Sequence, residues 1–238
     1  MIDSLCWLIR TLADVPESDG WLGNSERNRI AGMRFPKRRN EWRLGRWTAK
    51  LAVSAYLSGD APLLSAMEVR AAPNGAPEVL LSGEPGPISI SISHSHGTGF
   101  CVVGPRNFGV GCDIELVEPR ADNFFDDYFT QEEISFLKQA SIAERPLFAT
   151  LIWSAKESTL KVLRQGLRRD TRSVAIDVDD IKQRGAWSSW AGYCRESSCT
   201  FRGWWRVCDE YVQTVAADHS TREPKELAVP DLQEPDLR

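Results

Sequence analysis

The chain has 238 residues, enough for one large or two small domains, and its 42% hydrophobic and 26% charged residues describe an ordinary globular protein. A net charge of −4 argues against a general nucleic-acid or membrane-surface binder, and no apolar run approaches the length of a membrane span. The start, Met1 to Cys6, lacks the basic opening of a signal peptide, and six cysteines without a Cys-x-x-Cys pair, beside three histidines, form no zinc pattern. A cytoplasmic protein with buried or free thiols is expected.

In chain order, Cys6–Arg10 alternates as a strand, and the Asp, Pro, Gly and Ser of residues 14–24 mark a loop. From about Ser25 to Leu57 the pattern is helical with a break near Pro36. Its second half gathers Trp42, Gly45, Ala49, Ala52, Val53 and Tyr56 on one face and Arg43, Arg46 and Lys50 on another. The prolines and glycines of 71–87 predict an extended loop. Ile88–His94 alternates strictly, a strand with its hairpin partner at Phe100–Gly104 beyond a turn at Gly97 and Gly99. Residues 108–117 predict a third strand, 118–123 a polar turn, and Thr130 with Glu133 a capping box opening a helix. A helix over about 147–164 and strands at 173–179, 199–207 and 211–216 follow, and the last twenty residues read as a flexible tail. No internal repeat stands out. Strands and helices in clusters predict an α+β fold.

Four places could carry chemistry, the first being the basic helical face of Arg43, Arg46 and Lys50, either a solvated face or a partner for phosphate. Asp113 and Glu115 are two apart on a strand, so both carboxylates point to one side, where a hard cation such as Mg²⁺ would relieve their repulsion; a solvent-facing strand is the alternative. His94 ends its strand beside Ser93 and Ser95, as a structural hydrogen-bonding group or a donor to phosphate. On the helix near 147–164, Trp153, Glu157, Leu160 and Lys161 share a face. Glu157 and Lys161 are either a surface pair worth about 0.3–0.5 kcal/mol or something more specific.

The order of these pieces is distinctive. Ser91-Ile92-Ser93-His94-Ser95 precedes Gly111-Cys112-Asp113-Ile114-Glu115, and about forty residues later comes Trp153-Ser154-Ala155-Lys156-Glu157-Ser158-Thr159-Leu160-Lys161. The combination closely resembles the Sfp-type 4′-phosphopantetheinyl transferases over roughly residues 20 to 217. It includes the helix from Arg34 to Val53, the segment Tyr128–Glu133 and Gly166-Leu167.

The resemblance implies a pseudo-symmetric monomer of two similar α/β subdomains, 1–107 and 108–217, with the active site in the cleft between them and 218–238 a tail. It implies Mg²⁺-dependent transfer of phosphopantetheine from coenzyme A to a serine of an acyl, peptidyl or aryl carrier protein of fatty-acid, polyketide or nonribosomal-peptide synthesis, with release of adenosine 3′,5′-bisphosphate. Nucleic acid and membrane have no part in it. Asp113, Glu115 and Glu157 would hold the metal. Lys161 would meet the phosphates and the leaving group, and Glu157 is open to a second role as base. His94, with Ser93 beside it, would contact the pyrophosphate. Arg46, with Arg43 and Arg27 as helpers, would meet the 3′-phosphate, and Gly75 and Pro77 would line the adenine. Glu133 and Phe129 lie in the region that, by resemblance, helps shape the carrier-protein surface. One departure is Ala76, where the family commonly has the lysine of Gly-Lys-Pro; its charge is lost here. A Mg²⁺-dependent phosphohydrolase or nuclease using the same carboxylates, and a non-catalytic coenzyme A or carrier-binding module, remain as rival readings.

Overall fold

The computed structural model describes residues 4–58, 60–106, 108–164, 169–178 and 185–229. Two compact units share the chain: one ends at Phe108 and is rejoined at Lys225, and the other runs from Gly109 to Pro224. Among the described residues no helix is long and apolar enough to cross a membrane.

The first unit begins with β1 (Ser4–Thr11), α1 (Asn24–Ala31) and α2 (Pro36–Leu57). Pro36 sits at the first turn of α2, where its missing N–H costs nothing, and it separates the two helices. Then come β2 (Met67–Ala71), β3 (Pro77–Leu81), the short β4 (Glu84–Pro85), β5 (Ile88–Ser95) and β6 (Thr98–Pro105). Helix α2 buries Trp47, Leu51 and Val53 in one cluster with Leu8, Cys101 and Val103 of β1 and β6. The expected loop at 71–87 is in fact built around a hairpin. Gly75, at φ +89°, supplies the left-handed turn between β2 and β3, and Pro77 takes the first position of β3, a place where a strand tolerates proline.

The second unit contains β7 (Val110–Leu116), α3 (Asp122–Tyr128), α4 (Gln131–Gln139) and α5 (Arg145–Val162), then β8 (Val174–Asp177), β9 (Ser188–Cys194), β10 (Cys199–Cys208) and β11 (Tyr211–Ala217). The sheet order is β7-β11-β10-β9-β8, antiparallel throughout. The chain pattern did not reveal α3 or β9, although Trp190, Gly192 and Cys194 alternate on one side of β9. Gly166 and Leu167, and the end of the strand expected at 173–179, lie outside the described residues.

The expected tail needs correction. Arg222–Glu226 forms β12, which joins the first unit's sheet in the order β12-β1-β6-β5. Beyond it, Leu227 N–H donates to the Trp7 carbonyl (2.9 Å), and Leu227 and Val229 pack on the core. Composition alone suggested a tail because a short edge strand needs few apolar residues; its backbone supplies the bonds and Pro224 is tolerated at an edge. Residues 230–238 of the expected tail lie outside the described residues.

Each unit contains the same buried device. In the first, Glu26 on α1 accepts from Gly23 N–H (2.9 Å) and from Val69 N–H of β2 (3.0 Å), and pairs with Lys50 of α2 at 2.6 Å. Lys50 Nζ also donates to the carbonyls of Trp21 (2.9 Å) and Leu64 (2.8 Å). In the second, Glu133 on α4 accepts from Thr130 N–H (2.8 Å) and from Ile176 N–H of β8 (2.8 Å), and pairs with Lys156 of α5 at 2.9 Å. Lys156 Nζ also donates to the carbonyls of Thr171 (3.0 Å) and Val174. Each ammonium lies against an aromatic ring, Trp21 at 5.5 Å and Phe129 at 5.9 Å. The two lysines end matching tetrads, Trp47-Thr48-Ala49-Lys50 and Trp153-Ser154-Ala155-Lys156. The chain therefore carries an internal repeat that sequence inspection passed over. Only a few residues still match, and each lysine's carboxylate partner lies on a different helix.

Candidate active site

On β7, Gly111, Asp113 and Glu115 alternate to one face, and that face meets α5. Gly111 explains how closely. A Cβ there would stand 1.8 Å from the Ser158 carbonyl oxygen, so only glycine lets the α5 backbone lie directly on the strand. Ser154 and Ser158 tie the helix to the next strand through Thr214 Oγ1 of β11, at 2.8 and 2.7 Å.

Seated in this way, α5 presents Trp153, Glu157 and Lys161 at i, i+4 and i+8 along β7. Trp153 Nε1–H donates to Glu115 Oε1 (3.0 Å), and Arg120 reaches Glu115 Oε2 at 3.6 Å while stacking on Phe124. Lys161 Nζ donates to Asp113 Oδ1 (3.0 Å) and to the Cys112 carbonyl (2.8 Å). The lysine's ion pair is thus with the strand carboxylate rather than with its helical neighbour, so the reading of Glu157 and Lys161 as a simple surface pair does not hold.

The charges strain one another. Burial raises Glu157 to about 7, with Lys161 pulling it down and Asp113 and Glu115 pushing it further up. Burial, then Asp113, raises Glu115. Burial would lower Lys161, but Asp113 and Glu157 outweigh it and hold the ammonium charged. Among the described residues, Glu157 Oε1 is buried and receives no hydrogen bond.

Among the described residues no three His, Cys, Asp or Glu side chains form a ready metal cage; Lys161 lies on Asp113, and Trp153 and Arg120 on Glu115. Mg²⁺ does not require such a cage, because it keeps waters and takes one or two carboxylates plus substrate phosphate. Burial and neighbouring carboxylates raise the proton affinity of Glu115 and Glu157, and Glu157 has a buried oxygen that accepts no hydrogen bond among the described residues; with Asp113 beside them they fit a hard divalent cation in donor chemistry.

A second constellation lies within the first unit. A pocket of about 230 Å³ is lined by Trp42 and Arg46 of α2, Arg70 of β2, Gly75 and Pro77 of the hairpin and His94 of β5. Arg46 stacks on Trp42 at 4.8 Å and stands 3.8 Å from Glu26. Burial lowers its pKa to about 10, Glu26 opposing, which leaves it charged at neutral pH. Arg46 Nε and Trp42 Nε1 are both buried without a hydrogen-bond partner among the described residues. Two such donors suit an anion, with Arg70 at the rim, where its guanidinium also pairs with Glu68.

Four of the expected ligands, Arg46, Gly75, Pro77 and His94, thus meet in one pocket, and others do not join them. Arg43 pairs with Asp19 (2.9 Å) and holds the carbonyls of residues 16–18. Arg27 bonds Asn24 Oδ1 (2.6 Å) and the Leu22 carbonyl at the start of α1. Ser93, adjacent to His94 on β5, points to the opposite face of the strand. Lys50, expected on a basic face, is 0% exposed, so two of the three residues of that face, Arg43 and Lys50, hold structure. Glu133 and Phe129 are themselves buried at 3% and 1%, although Glu133 lines a pocket of about 550 Å³ together with Phe136, Ile176 and Tyr193. Trp42 and Arg70 were missed. The sequence pattern places Trp42 on the apolar face of α2, and Arg70 is brought in only by the hairpin.

Residues 109–216 match the family model described as the 4′-phosphopantetheinyl transferase superfamily. The match runs from the strand of Asp113 through α5 to the end of β11. No curated protein matches the chain. Solved structures that resemble part of it include a holo-(acyl-carrier-protein) synthase from Bacillus anthracis in complex with CoA (3′,5′-ADP). It is 25% identical over 44% of this chain and 96% of that one, with a TM-score of 0.38. The acyl carrier protein synthase of Mycobacterium tuberculosis is 21% identical over 44% and 96% of the two chains, with a TM-score of 0.32. The holo-(acyl-carrier-protein) synthase of Thermotoga maritima is 21% identical over 55% and 76%, with a TM-score of 0.36.

Proposed function

We propose that this protein, whose residues 109–216 match the model of the 4′-phosphopantetheinyl transferase superfamily, moves phosphopantetheine from coenzyme A to a serine of an acyl, peptidyl or aryl carrier protein. The observation that carries the proposal is the seat of α5 on Gly111, which brings Glu157 and Lys161 against Asp113 in the half that matches the superfamily.

In this reading the serine oxygen bonds to the phosphorus that bears pantetheine. The bond from that phosphorus to the bridging oxygen breaks, and its electrons leave with adenosine 3′,5′-bisphosphate. Asp113, Glu115 and Glu157 would hold Mg²⁺, which when bound supplies neutralisation of charge on the pyrophosphate oxygens. Lys161, held charged beside Asp113, offsets charge on the departing phosphate or protonates it. We assign Glu157 a second role as acceptor of the serine proton, on the ground that its Oε1 is buried and accepts no hydrogen bond among the described residues. The first unit's pocket would bind the nucleotide end, with Arg46 at the 3′-phosphate, His94 toward the pyrophosphate and Gly75 and Pro77 along the adenine. Arg70, which lines the same pocket and pairs with Glu68, would supply part of the charge lost with Ala76 at the family's lysine position. All six cysteines are free, which supports a cytosolic setting.

The test is intact-mass measurement of purified apo carrier proteins incubated with the protein, coenzyme A and Mg²⁺. A gain of one phosphopantetheine is expected. Release of inorganic phosphate, or no mass gain on any carrier class, would reject the reading.

A further inference from the structure

The two buried lysine–glutamate devices do more than fill a core, and the geometry points to a division of labour between them. We propose that Lys50 is a positioning residue for the coenzyme A pocket and Lys156 a positioning residue for the catalytic helix; the proposal rests on the function given above.

Each lysine fixes a helix by one face. Lys156 binds the Thr171 and Val174 carbonyls and Glu133, so α5 is tied at once to α4 and to the entrance of β8. Glu157 is the next residue and Lys161 lies five further on. A rotation of α5 about its axis would therefore swing both from Asp113, although the Lys156 ammonium bonds instead to Thr171, Val174 and Glu133. Lys50 binds the Trp21 and Leu64 carbonyls and Glu26, and ties α2 to α1 and to the entrance of β2 in the same way. What stands beside it differs. Arg46 lies one turn earlier and shares Glu26, and both Arg46 and Trp42 line the pocket. At the position matching Glu157 the first unit has Leu51, which is buried. The same device therefore supports binding in one unit and chemistry in the other.

A purely structural lysine would be satisfied by any replacement that keeps the fold. These lysines are bound instead by directional contacts to carbonyls at fixed points, and such contacts set helix azimuth as well as stability.

The experiment compares Lys50→Met with Lys156→Met, and because a lone buried carboxylate could prevent folding, also Lys50→Met/Glu26→Gln and Lys156→Met/Glu133→Gln. Steady-state carrier modification is measured with varied coenzyme A, and rates are normalised to folded protein by circular dichroism. The Lys156 variants should lower kcat by roughly tenfold to a hundredfold with KM for coenzyme A nearly unchanged, the scale of a misplacement near 1 Å. The Lys50 variants should raise KM by roughly tenfold with kcat nearly unchanged. Folded variants with wild-type constants, or with both parameters altered alike in both units, would overturn the proposal. A wild-type protein that modifies no carrier would instead reject the underlying function. If the single variants do not fold, the double variants decide.

Discussion

Gly111→Ala is the substitution with the most to say about how the site is built. The new methyl would stand 1.8 Å from the Ser158 carbonyl oxygen, 2.8 Å from its carbon and 3.1 Å from Val162 Cγ2. Ordinary contact begins near 3.4 Å, so α5 must retreat from β7 by roughly 1.6 Å in an interior that is close-packed on both sides. The clash is with backbone, and no rotamer change relieves it. Overpacking of this kind costs about 1–3 kcal/mol. The retreat is greatest at Ser158, beside Glu157, and it stretches the 3.0 Å contact between Lys161 and Asp113. Displacement by about 1 Å in a positioned site can lower a rate by about a hundredfold. The assay pairs carrier-modification rate at saturating coenzyme A with urea unfolding. The expected result is a folded protein with a lower midpoint and a rate reduced far beyond the fraction unfolded. A variant with wild-type midpoint and wild-type rate would mean that α5 does not rest on Gly111, and the geometry of Glu157 and Lys161 argued from it would be wrong.

Glu157→Gln and Lys161→Ala should both fold and lose roughly a hundredfold or more in rate; raised Mg²⁺ should partly rescue the first and leave the second unchanged, and near-normal rates in both would remove the site. Arg46→Ala should raise KM for coenzyme A by about tenfold or more, the loss of a charge-assisted contact, with kcat little altered; an unchanged KM would displace the 3′-phosphate from this pocket. In metal-free protein, Glu157 retains a proton up to about 7 that the unfolded chain gives up near its ordinary 4.5. The stability this proton contributes is complete below about 4.5 and lost as pH rises through about 7, so urea midpoints should fall over that window in the wild type and less in Glu157→Gln; parallel curves would contradict it. Truncation after Ala217 should lower the unfolding midpoint, since β12 and the Leu227–Trp7 bond are lost and each backbone bond is worth a net of about 0.5–1.5 kcal/mol; an unchanged midpoint would mean that the strand adds nothing to the sheet.

What the sequence determined by itself was local. Strict alternation at Ile88–His94 and the capping pair Thr130 and Glu133 yield a strand and a helix start because their causes lie within a few residues. The parity that puts Asp113 and Glu115 on one face is likewise a property of the strand alone. Only the tertiary structure decided what those side chains meet. Lys50 and Lys156 look like ordinary surface lysines until Glu26 and Glu133 arrive from other helices, and Arg43 and Arg27 look equal to Arg46 until loop carbonyls claim them. Residues 222–226 carry too little hydrophobic pattern to declare a strand, and they become one because β1 offers an open edge. A charge's partner and a strand's neighbour are set by chain segments tens to hundreds of residues away, and no local pattern encodes them.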